Sequence, residues 1–320
     1  MDSRKIIVTG ANGFIGANLC HFFSSKGYEV HAIVRNGSDN WRLKDIKQNI
    51  NILQLGELKI NALNEVFSNI KPNVVLNAIG ADQKVFLDNF EGTWDSNFMT
   101  LVRIISSLKN IQLENFVHAG SSFEYGKAIS NQGVLTEELE CRPVSEYATA
   151  KLMQTNYLRQ AAYQYLLPTV VLRIFNAYGP FESKKSLVSY VIIKALKNEE
   201  IILKNPGVIR DFIYMEDVMN AFLHSINQSL NSVFSLYNIG TGVGTSVSAL
   251  VDNVLSISDS KSEKNFEKGD LRPENDLSGF LADIKLARSE LKWSPLYPIE
   301  KGLQKDIEWF SENQNYYENF

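Results

Sequence analysis

Tyr147 and Lys151, four residues apart, are the pair in this chain best suited to acid–base chemistry. They lie in the segment Ser145–Lys151, which is predicted to be helical, and at that spacing both side chains project from one helical face. A lysine ammonium near a phenol favours the phenolate and lowers the pKa of the tyrosine, which suits Tyr147 to proton transfer near neutral pH. Because such pairs also occur by chance on helix surfaces, the interpretation depends on the elements around this one.

A glycine-rich turn near the start of the chain predicts a dinucleotide site. The β-branched run Lys5–Thr9 is typical of a buried parallel strand, and a helix is predicted to follow the turn and to end near Lys26. Glycines allow the backbone to approach a pyrophosphate, and the helix N-terminus offers N–H groups and the positive end of its dipole. The residues predicted to hold the cofactor here are Gly10, Asn12, Gly13, Phe14, Ile15 and Gly16.

The end of the second predicted strand indicates which dinucleotide binds. A NAD-selective site usually has an acidic residue there, on the ribose diol, but this chain has Arg35. A guanidinium can pair with a 2′-phosphate, and Ser38 and Arg42 follow within reach, so NADP(H) is favoured as the cofactor. The alternative, NAD(H), requires Arg35 to be a solvated strand end and Asp39 to bind the diol.

Alternating strand and helix patterns predict an α/β fold with a doubly wound parallel sheet. After Phe175 the alternation stops, and the chain is expected to divide between the sheet and a smaller, interleaved lobe. We therefore predict a dinucleotide-binding domain over residues 1–175, with a return near 205–240, and a substrate-binding lobe mainly over 176–320.

Polar residues at the carboxyl edge of this sheet are further candidates, because ligands bind at that edge in such folds. Gly80 follows the fourth predicted strand, and the fifth leads into Ser121 and Ser122. Hydroxyls at a strand end also serve as loop caps, so the two serines alone do not define a site. Asn97 lies in a long helical pattern, where an asparagine is usually a solvated polar residue.

Composition excludes several classes of function. With 320 residues, 44% hydrophobic and 21% charged, the chain has an ordinary globular composition and length enough for a sizeable core. A net charge of -4 without a basic tract argues against nucleic-acid binding. No apolar run reaches the roughly 18 residues of a membrane span, so no membrane contact and a cytoplasmic location are expected. The 2 cysteines and 4 histidines are scattered, and no metal site is predicted.

Taken together, these motifs resemble the extended short-chain dehydrogenase/reductase family, which includes sugar-nucleotide epimerases, dehydratases and ketoreductases and has a Rossmann-type sheet. The resemblance runs end to end through TGANGFIG, Asn97 in its helix, the Ser–Ser loop, YATAK, NAYGP, IRDFIYMEDV, YNIGTG and LRP, in the family's order. Within the family, GSSFEYG followed by TEELECRPVSEYATAK is most similar to the 4-ketoreductases that complete 6-deoxyhexoses.

The resemblance implies a role for each candidate. Tyr147 would be the acid/base, and Lys151 would bind the nicotinamide ribose and lower the pKa of Tyr147. Ser121 aligns with the serine or threonine that hydrogen-bonds the reacting C4 oxygen, with Ser122 as the alternative. The other implied contacts are Gly10, Gly13 and Gly16 with the pyrophosphate, Glu57 and Leu58 with the adenine, Gly80 and Asn97 with the cofactor, and Asn176, Arg210 and Arg272 with the sugar nucleotide's diphosphate. A homodimer through helices around 97–107 and 147–160 is also implied.

The expected activity is NADPH-dependent reduction of the 4-keto group of a nucleotide-linked 6-deoxyhexose. The alternatives are a 4-epimerase that holds NAD tightly, and a non-catalytic nicotinamide-sensing protein, against which the intact Tyr147 and Lys151 count. A 4,6-dehydratase is disfavoured, because Ser122 and Phe123 stand where those enzymes have carboxylates, unless a shifted loop brings Glu124 there. The sequence leaves open the nucleotide base, the sugar and the configuration at C4.

Overall fold

The described residues form fifteen β-strands of two to seven residues each. The structure is a computed structural model that describes residues 4–80, 92, 94–127, 133–227, 232–267 and 279–318. In chain order the strands are β1 (Lys5–Thr9), β2 (Glu29–Arg35), β3 (Asn51–Leu55), β4 (Val74–Asn77), β5 (Asn115–Ser121), β6 (Val134–Leu135), β7 (Thr169–Ile174), β8 (Asn176–Tyr178), β9 (Ile201–Lys204), β10 (Ile209–Arg210), β11 (Phe212–Tyr214), β12 (Phe234–Ile239), β13 (Thr245–Ser246), β14 (Lys264–Glu267) and β15 (Leu281–Ala282).

Seven of these strands form one sheet in the order β12-β7-β5-β4-β1-β2-β3, and every neighbouring pair is parallel. This arrangement confirms the predicted doubly wound α/β sheet of the Rossmann type. The strand order reverses between β1 and β4, and in such sheets ligands bind at the carboxyl ends of the strands beside that point.

Helices cover both faces of the sheet and build the lobe. They are α1 (Phe14–Ser25), α2 (Ile60–Ile70), α3 (Thr100–Leu108), α4 (Glu146–Tyr165), α5 (Leu187–Leu196), α6 (Met215–Asn227), α7 (Val247–Ile257), α8 (Lys285–Ser289), α9 (Ile299–Glu312) and α10 (Asn315–Glu318). The described residues also include 3₁₀ turns at 41–46 and 122–125 and a π-helical turn at 95–99.

The apolar runs of the central strands follow from burial on both faces. Ile6 and Val8 belong to one core cluster, and Ile7, between them, belongs to the cluster on the other face. Because successive side chains of a strand point to opposite faces, a strand covered on both sides must be apolar at every position. The uninterrupted β-branched pattern of β1 therefore results from its central position in the sheet, between β2 and β4.

A third core cluster belongs to the smaller lobe. It joins Val191 of α5, Leu250 of α7 and Leu303 of α9, all buried. The lobe is interleaved with the sheet, as expected, because β12 returns from it to pair with β7. The residue boundaries of the two domains stay a prediction.

Within the residues that the structure describes, no helix combines the length and the apolar character that crossing a membrane requires. The same residues contain no group of three or more histidine, cysteine, aspartate or glutamate side chains placed to hold a metal ion.

Candidate active site

The turn after β1 can be built only from glycine at two positions. Gly10 has φ +69°, and a Cβ there would lie 2.6 Å from the carbonyl oxygen of Ala78. A Cβ on Gly16 would lie 2.1 Å from the carbonyl oxygen of Gly10. The turn closes with a hydrogen bond from the Gly13 N–H to that same oxygen, at 2.9 Å. Tight packing of α1 on β1 therefore requires the predicted glycine spacing.

The N-terminus of α1 suits an anion. Gly13 is its N-cap and is exposed, no side chain caps the helix, and its first turn contains no acidic residue. The N–H groups of the first turn, which includes Phe14 and Ile15, have no partner within the helix. With the positive end of the dipole, they form the kind of cradle that binds a pyrophosphate.

The neighbouring loop is held to this turn by Asn12 and Arg42. The Asn12 amide donates to the carbonyl oxygen of Asp39 at 2.5 Å. Arg42 donates to the carbonyl oxygens of Phe181, at 2.9 Å, and Asn12, at 3.3 Å. Burial lowers the pKa of Arg42 despite nearby acidic groups. Arg42 thus has structural contacts in the position where the sequence suggested contact with a 2′-phosphate.

Arg35 is the remaining basic candidate for such a phosphate. It lies at the carboxyl end of β2, where the sequence placed it, and it is exposed, which the NAD(H) alternative also requires. At the end of β3, Glu57 is exposed and forms an ion pair with Lys59 at 2.7 Å, which lowers the pKa of the Glu57 carboxyl. Leu58 is half-buried and packs against the second core cluster. The adenine contacts of Glu57 and Leu58 stay a prediction.

Helix α4 brings Lys151 to the end of β5. The helix begins at a Ser145 cap, whose hydroxyl accepts the Ala148 N–H at 3.2 Å. Tyr147 is half-buried in its first turn, and Lys151, one turn later, is 5% exposed. The Lys151 ammonium donates to the carbonyl oxygen of Ala119 at 3.0 Å. Burial lowers the pKa of Lys151 to about 8, although the charge of Glu124 acts in the opposite direction.

Gly80 and Asn97 meet Lys151 at the same edge. A Cβ on Gly80 would lie 3.1 Å from Lys151 Nζ and 3.5 Å from Asn97 Oδ1. Asn97 is 1% exposed, so it is not the solvated helical residue that its pattern alone suggests. It lies in the π-helical turn, whose carbonyl group at Asn97 accepts from the Gln154 amide at 2.8 Å. Single π turns are frequent at functional sites, and hydrophobic periodicity does not reveal them.

The two serines take different positions. Ser121 is buried at the end of β5, and its hydroxyl oxygen accepts the Phe123 N–H at 3.2 Å. Accepting that bond leaves the hydroxyl proton available for donation. Ser122 is half-buried and lines a small cavity. Next to it, the ring of Phe123 meets the ring of Tyr147 edge to face, with centroids 6.0 Å apart.

The same cavity includes two of the predicted diphosphate contacts, Asn176 and Arg210. The Asn176 amide donates to the carbonyl oxygen of Asp211 at 3.3 Å, and Arg210 Nη1 donates to that of Ile209 at 3.0 Å. Burial lowers the pKa of Arg210. The third predicted contact, Arg272, lies outside the described residues.

Glu124 points away from this cavity. It is 0% exposed, and its carboxylate accepts from the Ser121 N–H, the Thr155 hydroxyl and Arg173 Nε, each at 2.9 Å. Glu124 is therefore held in the interior and does not face the cavity. Ser122 and Phe123 beside it have no ionisable group.

A buried polar chain behind Asn97 was not recognised in the sequence. The Thr9 hydroxyl donates to Asn77 at 2.5 Å, and the Asn77 amide lies 2.8 Å from His118 Nδ1. Burial, with the charge of Lys151, lowers the pKa of His118 well below its usual value. Gln154 adds the bond to the Asn97 carbonyl. Gln154 lies three residues after Lys151 and therefore on the same helical face, and this spacing is the feature of the sequence that could have identified it.

A cavity of about 430 Å³ lies elsewhere, and its lining includes His21 and Asn49 on one side and Met215 on the other. None of the residues predicted for the site line it. The size of this cavity would favour it as a binding site, but the residues suited to chemistry lie elsewhere. We therefore place the candidate site at the sheet edge, where the glycine cradle, the buried lysine and the serines meet.

Comparisons with known proteins identify the family and the fold of this chain. Residues 6–240 match the sequence model of the NAD dependent epimerase/dehydratase family. The dTDP-D-glucose 4,6-dehydratase of Bos taurus is 26% identical over 333 residues, which cover 99% of this chain and 91% of that protein.

Solved structures share the fold. The UDP-glucose 4-epimerase of Thermotoga maritima, determined with UDP-glucose, has a TM-score of 0.88 and 23% identity, covering 97% of this chain and 99% of that one. The dTDP-glucose 4,6-dehydratase of Bacillus anthracis, in complex with NAD, has a TM-score of 0.84 and 21% identity, with 98% of each chain covered. At these identities the likeness concerns the fold alone.

Proposed function

This chain belongs to the NAD dependent epimerase/dehydratase family, and we propose that it transfers a hydride reversibly between C4 of a nucleotide-linked sugar and a nicotinamide cofactor. The observation that carries the proposal is the meeting of Gly80, Asn97 and the buried Lys151 at the carboxyl edge of the sheet, one helical turn from Tyr147. This edge is where cofactors bind in doubly wound sheets.

The residues present fit a nicotinamide dinucleotide. A side chain on Gly10 or Gly16 would collide with the backbone, and the exposed N-cap at Gly13 leaves room for a pyrophosphate. These glycines, with Phe14 and Ile15, would hold the diphosphate, and Lys151 and Asn97 would lie by the nicotinamide ribose. When bound, the nicotinamide supplies or accepts the hydride.

The chain's own groups handle the proton and the developing charge. Tyr147 takes the C4 hydroxyl proton during oxidation and returns one during reduction. The Ser121 hydroxyl donates a hydrogen bond to the C4 oxygen, and that bond stabilises the negative charge that develops on the oxygen. The Lys151 ammonium favours the phenolate of Tyr147. Asn176 and Arg210 bind the diphosphate of the sugar nucleotide, since a guanidinium matches phosphate oxygens.

A 4-epimerase is the first candidate within this chemistry. Epimerisation needs only the hydroxyl, phenol and ammonium groups already named, because the same hydride returns to the other face of C4. A 4,6-dehydratase needs carboxylates near the sugar, but Ser122 and Phe123 provide none and Glu124 is buried against Arg173.

The 4-ketoreductase favoured by the sequence motifs is the second candidate. The feature in its favour is the residue type at the end of β2, where Arg35 replaces the acidic residue usual in NAD sites and can pair with the 2′-phosphate of NADPH. A reductase consumes its cofactor at every turnover, so the cofactor must exchange freely, whereas an epimerase regenerates it.

The test separates these candidates through the cofactor and the product. The purified protein is denatured, and released NAD or NADP is identified by chromatography. The native protein is then offered UDP-glucose, UDP-galactose, and GDP-, dTDP- and CDP-linked 4-keto-6-deoxyhexoses with NADPH or NADH. Co-purified NAD and interconverted 4-epimers support the epimerase, while oxidation of added NADPH supports the reductase.

Tyr147→Phe tests the shared chemistry. The variant is expected to lose roughly 100-fold or more in kcat, the usual contribution of an acid/base group, while still binding cofactor. Wild-type turnover in the variant would refute the assignment of Tyr147.

The homodimer through residues 97–107 and 147–160 also stays a prediction, and the mass of the native protein in solution tests it.

A further inference from the structure

Glu124 joins three elements beneath the site. It lies in the 3₁₀ turn after β5, and its Oε1 accepts the N–H of Ser121 at 2.9 Å. Its Oε2 accepts from Thr155 of α4 and from Arg173 of β7, both at 2.9 Å. The carboxylate is 0% exposed and its partner Arg173 is 3% exposed, so the ion pair is fully buried. Loss of either partner would leave an uncompensated buried charge.

Lys151 lies against the same stretch of β5. Its ammonium bonds the carbonyl oxygen of Ala119. At the next residue, a Cβ added to Gly120 would lie 3.0 Å from Glu124 Oε1. The carboxylate and the ammonium therefore flank two consecutive residues of one strand. Glycine at position 120 is what allows the carboxylate to approach the strand so closely.

The charges around Lys151 are few and come from several elements. His118 of β5 is uncharged near neutral pH, because burial and the Lys151 charge lower its pKa. Tyr147 lies on the same helix as Lys151, and Arg173 of β7 is engaged by Glu124. Two buried cations, Lys151 and Arg173, thus share one buried anion, Glu124.

We propose that Glu124 is a positioning residue, which fixes Ser121 through its backbone N–H and supplies the negative charge that balances Lys151 and Arg173. The proposal rests on the proposed function, since that function gives Ser121 and Lys151 their roles. Glu124 touches neither sugar nor cofactor in this scheme. It acts through the two residues that do.

Two consequences follow from this arrangement. Without the negative charge, burial alone acts on Lys151 and the pKa of its ammonium falls further below its usual value. The ammonium form that assists Tyr147 is then lost at a lower pH, and the alkaline limb of the pH–rate profile moves down. Without the hydrogen bond to its N–H, Ser121 moves relative to the C4 oxygen, which lowers kcat more than it raises KM.

The test reads Lys151 directly as well as through turnover. Protein labelled with [6-¹³C]lysine is titrated by NMR, and the Lys151 signal is identified by its absence in Lys151→Gln. In Glu124→Gln the midpoint for Lys151 is expected to fall by roughly one pH unit, with a matching shift in the alkaline limb. In Glu124→Asp, which keeps the charge and shortens the side chain, the midpoint is expected to stay and kcat to fall roughly 10- to 100-fold.

Two further variants keep the outcome decisive. Glu124→Gln leaves Arg173 as an unpaired buried cation, so the double variant Glu124→Gln/Arg173→Leu is measured if the single one does not fold; the fall in the Lys151 midpoint is expected there too. Glu182→Gln is the matched control, because Glu182 is another buried glutamate bonded to a hydroxyl, that of Ser189 in the lobe at 2.9 Å. It is expected to leave the Lys151 midpoint unchanged.

An unchanged Lys151 midpoint in both Glu124→Gln and the double variant would overturn the proposal. The proposal would also be overturned if Glu182→Gln shifted the Lys151 midpoint as much as Glu124→Gln does. If wild-type protein turns over no nucleotide sugar and the Lys151 midpoint still falls in Glu124→Gln, the proposed function fails while the charge balance stands.

Discussion

Replacing the buried Glu182 should make the protein more stable in mild alkali. Glu182 lies before α5, and its carboxylate accepts the Ser189 hydroxyl at 2.9 Å. Asp306 of α9 is also buried, and neither of its carboxylate oxygens has a hydrogen-bond partner among the described residues. Burial raises the pKa of Glu182 to about 7, partly offset by hydrogen bonds from serines. Burial and the charge of Glu182 also raise the pKa of Asp306.

The sign of the effect follows from proton binding. A carboxyl whose pKa is raised by folding contributes stability below its unfolded pKa, and that contribution is lost as the pH rises through the folded value. For Glu182 the two values are 4.5 and about 7. That interval corresponds to about 3 kcal/mol of unfolding free energy, lost between pH 4.5 and 7. Glutamine keeps the shape and an accepting oxygen for Ser189 but cannot ionise.

Urea unfolding at pH 5 and pH 8.5 measures the difference. We expect the free energy of unfolding of Glu182→Gln to be higher than that of the wild type by up to about 3 kcal/mol at pH 8.5, and by much less at pH 5. The control is Glu65→Gln, at an exposed position of α2, where no pH-dependent difference is expected. An equal difference between Glu182→Gln and wild type at both pH values would refute the reasoning, since a neutral packing effect does not depend on pH.

Three other substitutions test the site. Gly16→Ala should abolish cofactor binding, because its Cβ would lie 2.1 Å from a main-chain oxygen of the same turn, whereas Gly207→Ala, with nothing within 4 Å, should bind normally in a calorimetric titration. Arg35→Asp should move the preference from NADP towards NAD, and an unchanged ratio of the two dissociation constants would contradict the 2′-phosphate contact. Ser121→Ala should lower kcat roughly 100-fold or more and Ser122→Ala only slightly; the reverse order in steady-state kinetics would reassign the hydroxyl that polarises C4.

Much of the fold was readable from local pattern. β1 runs over 5–9, as its β-branched run predicted. The predicted glycine turn also depends on contacts within a few residues, so its sequence contains the necessary information. The helix after this turn, α1, ends at Ser25 with Lys26 as its C-cap, close to the predicted end near Lys26.

The Asn97 turn and Arg42 show where local pattern was insufficient. A π turn accommodates one extra residue, so the α-helical spacing does not give the face on which Asn97 lies, and its burial depends on packing against α4. Arg42 was assigned to a phosphate on proximity in sequence, but its bond to Phe181 crosses 139 residues. No rule based on spacing anticipates such a contact.

The sequence by itself determined the strands, the glycine cradle and the helical face shared by Tyr147 and Lys151, because each depends on backbone geometry over one or two turns. Only the tertiary structure decided how the charges pair. Glu124 meets Arg173 across 49 residues, and Lys151 meets Ala119 across 32. Whether the Glu124 carboxylate faces the cavity or the interior depends on the packing of β5, α4 and β7. That packing places it beneath Ser121 rather than in the cavity.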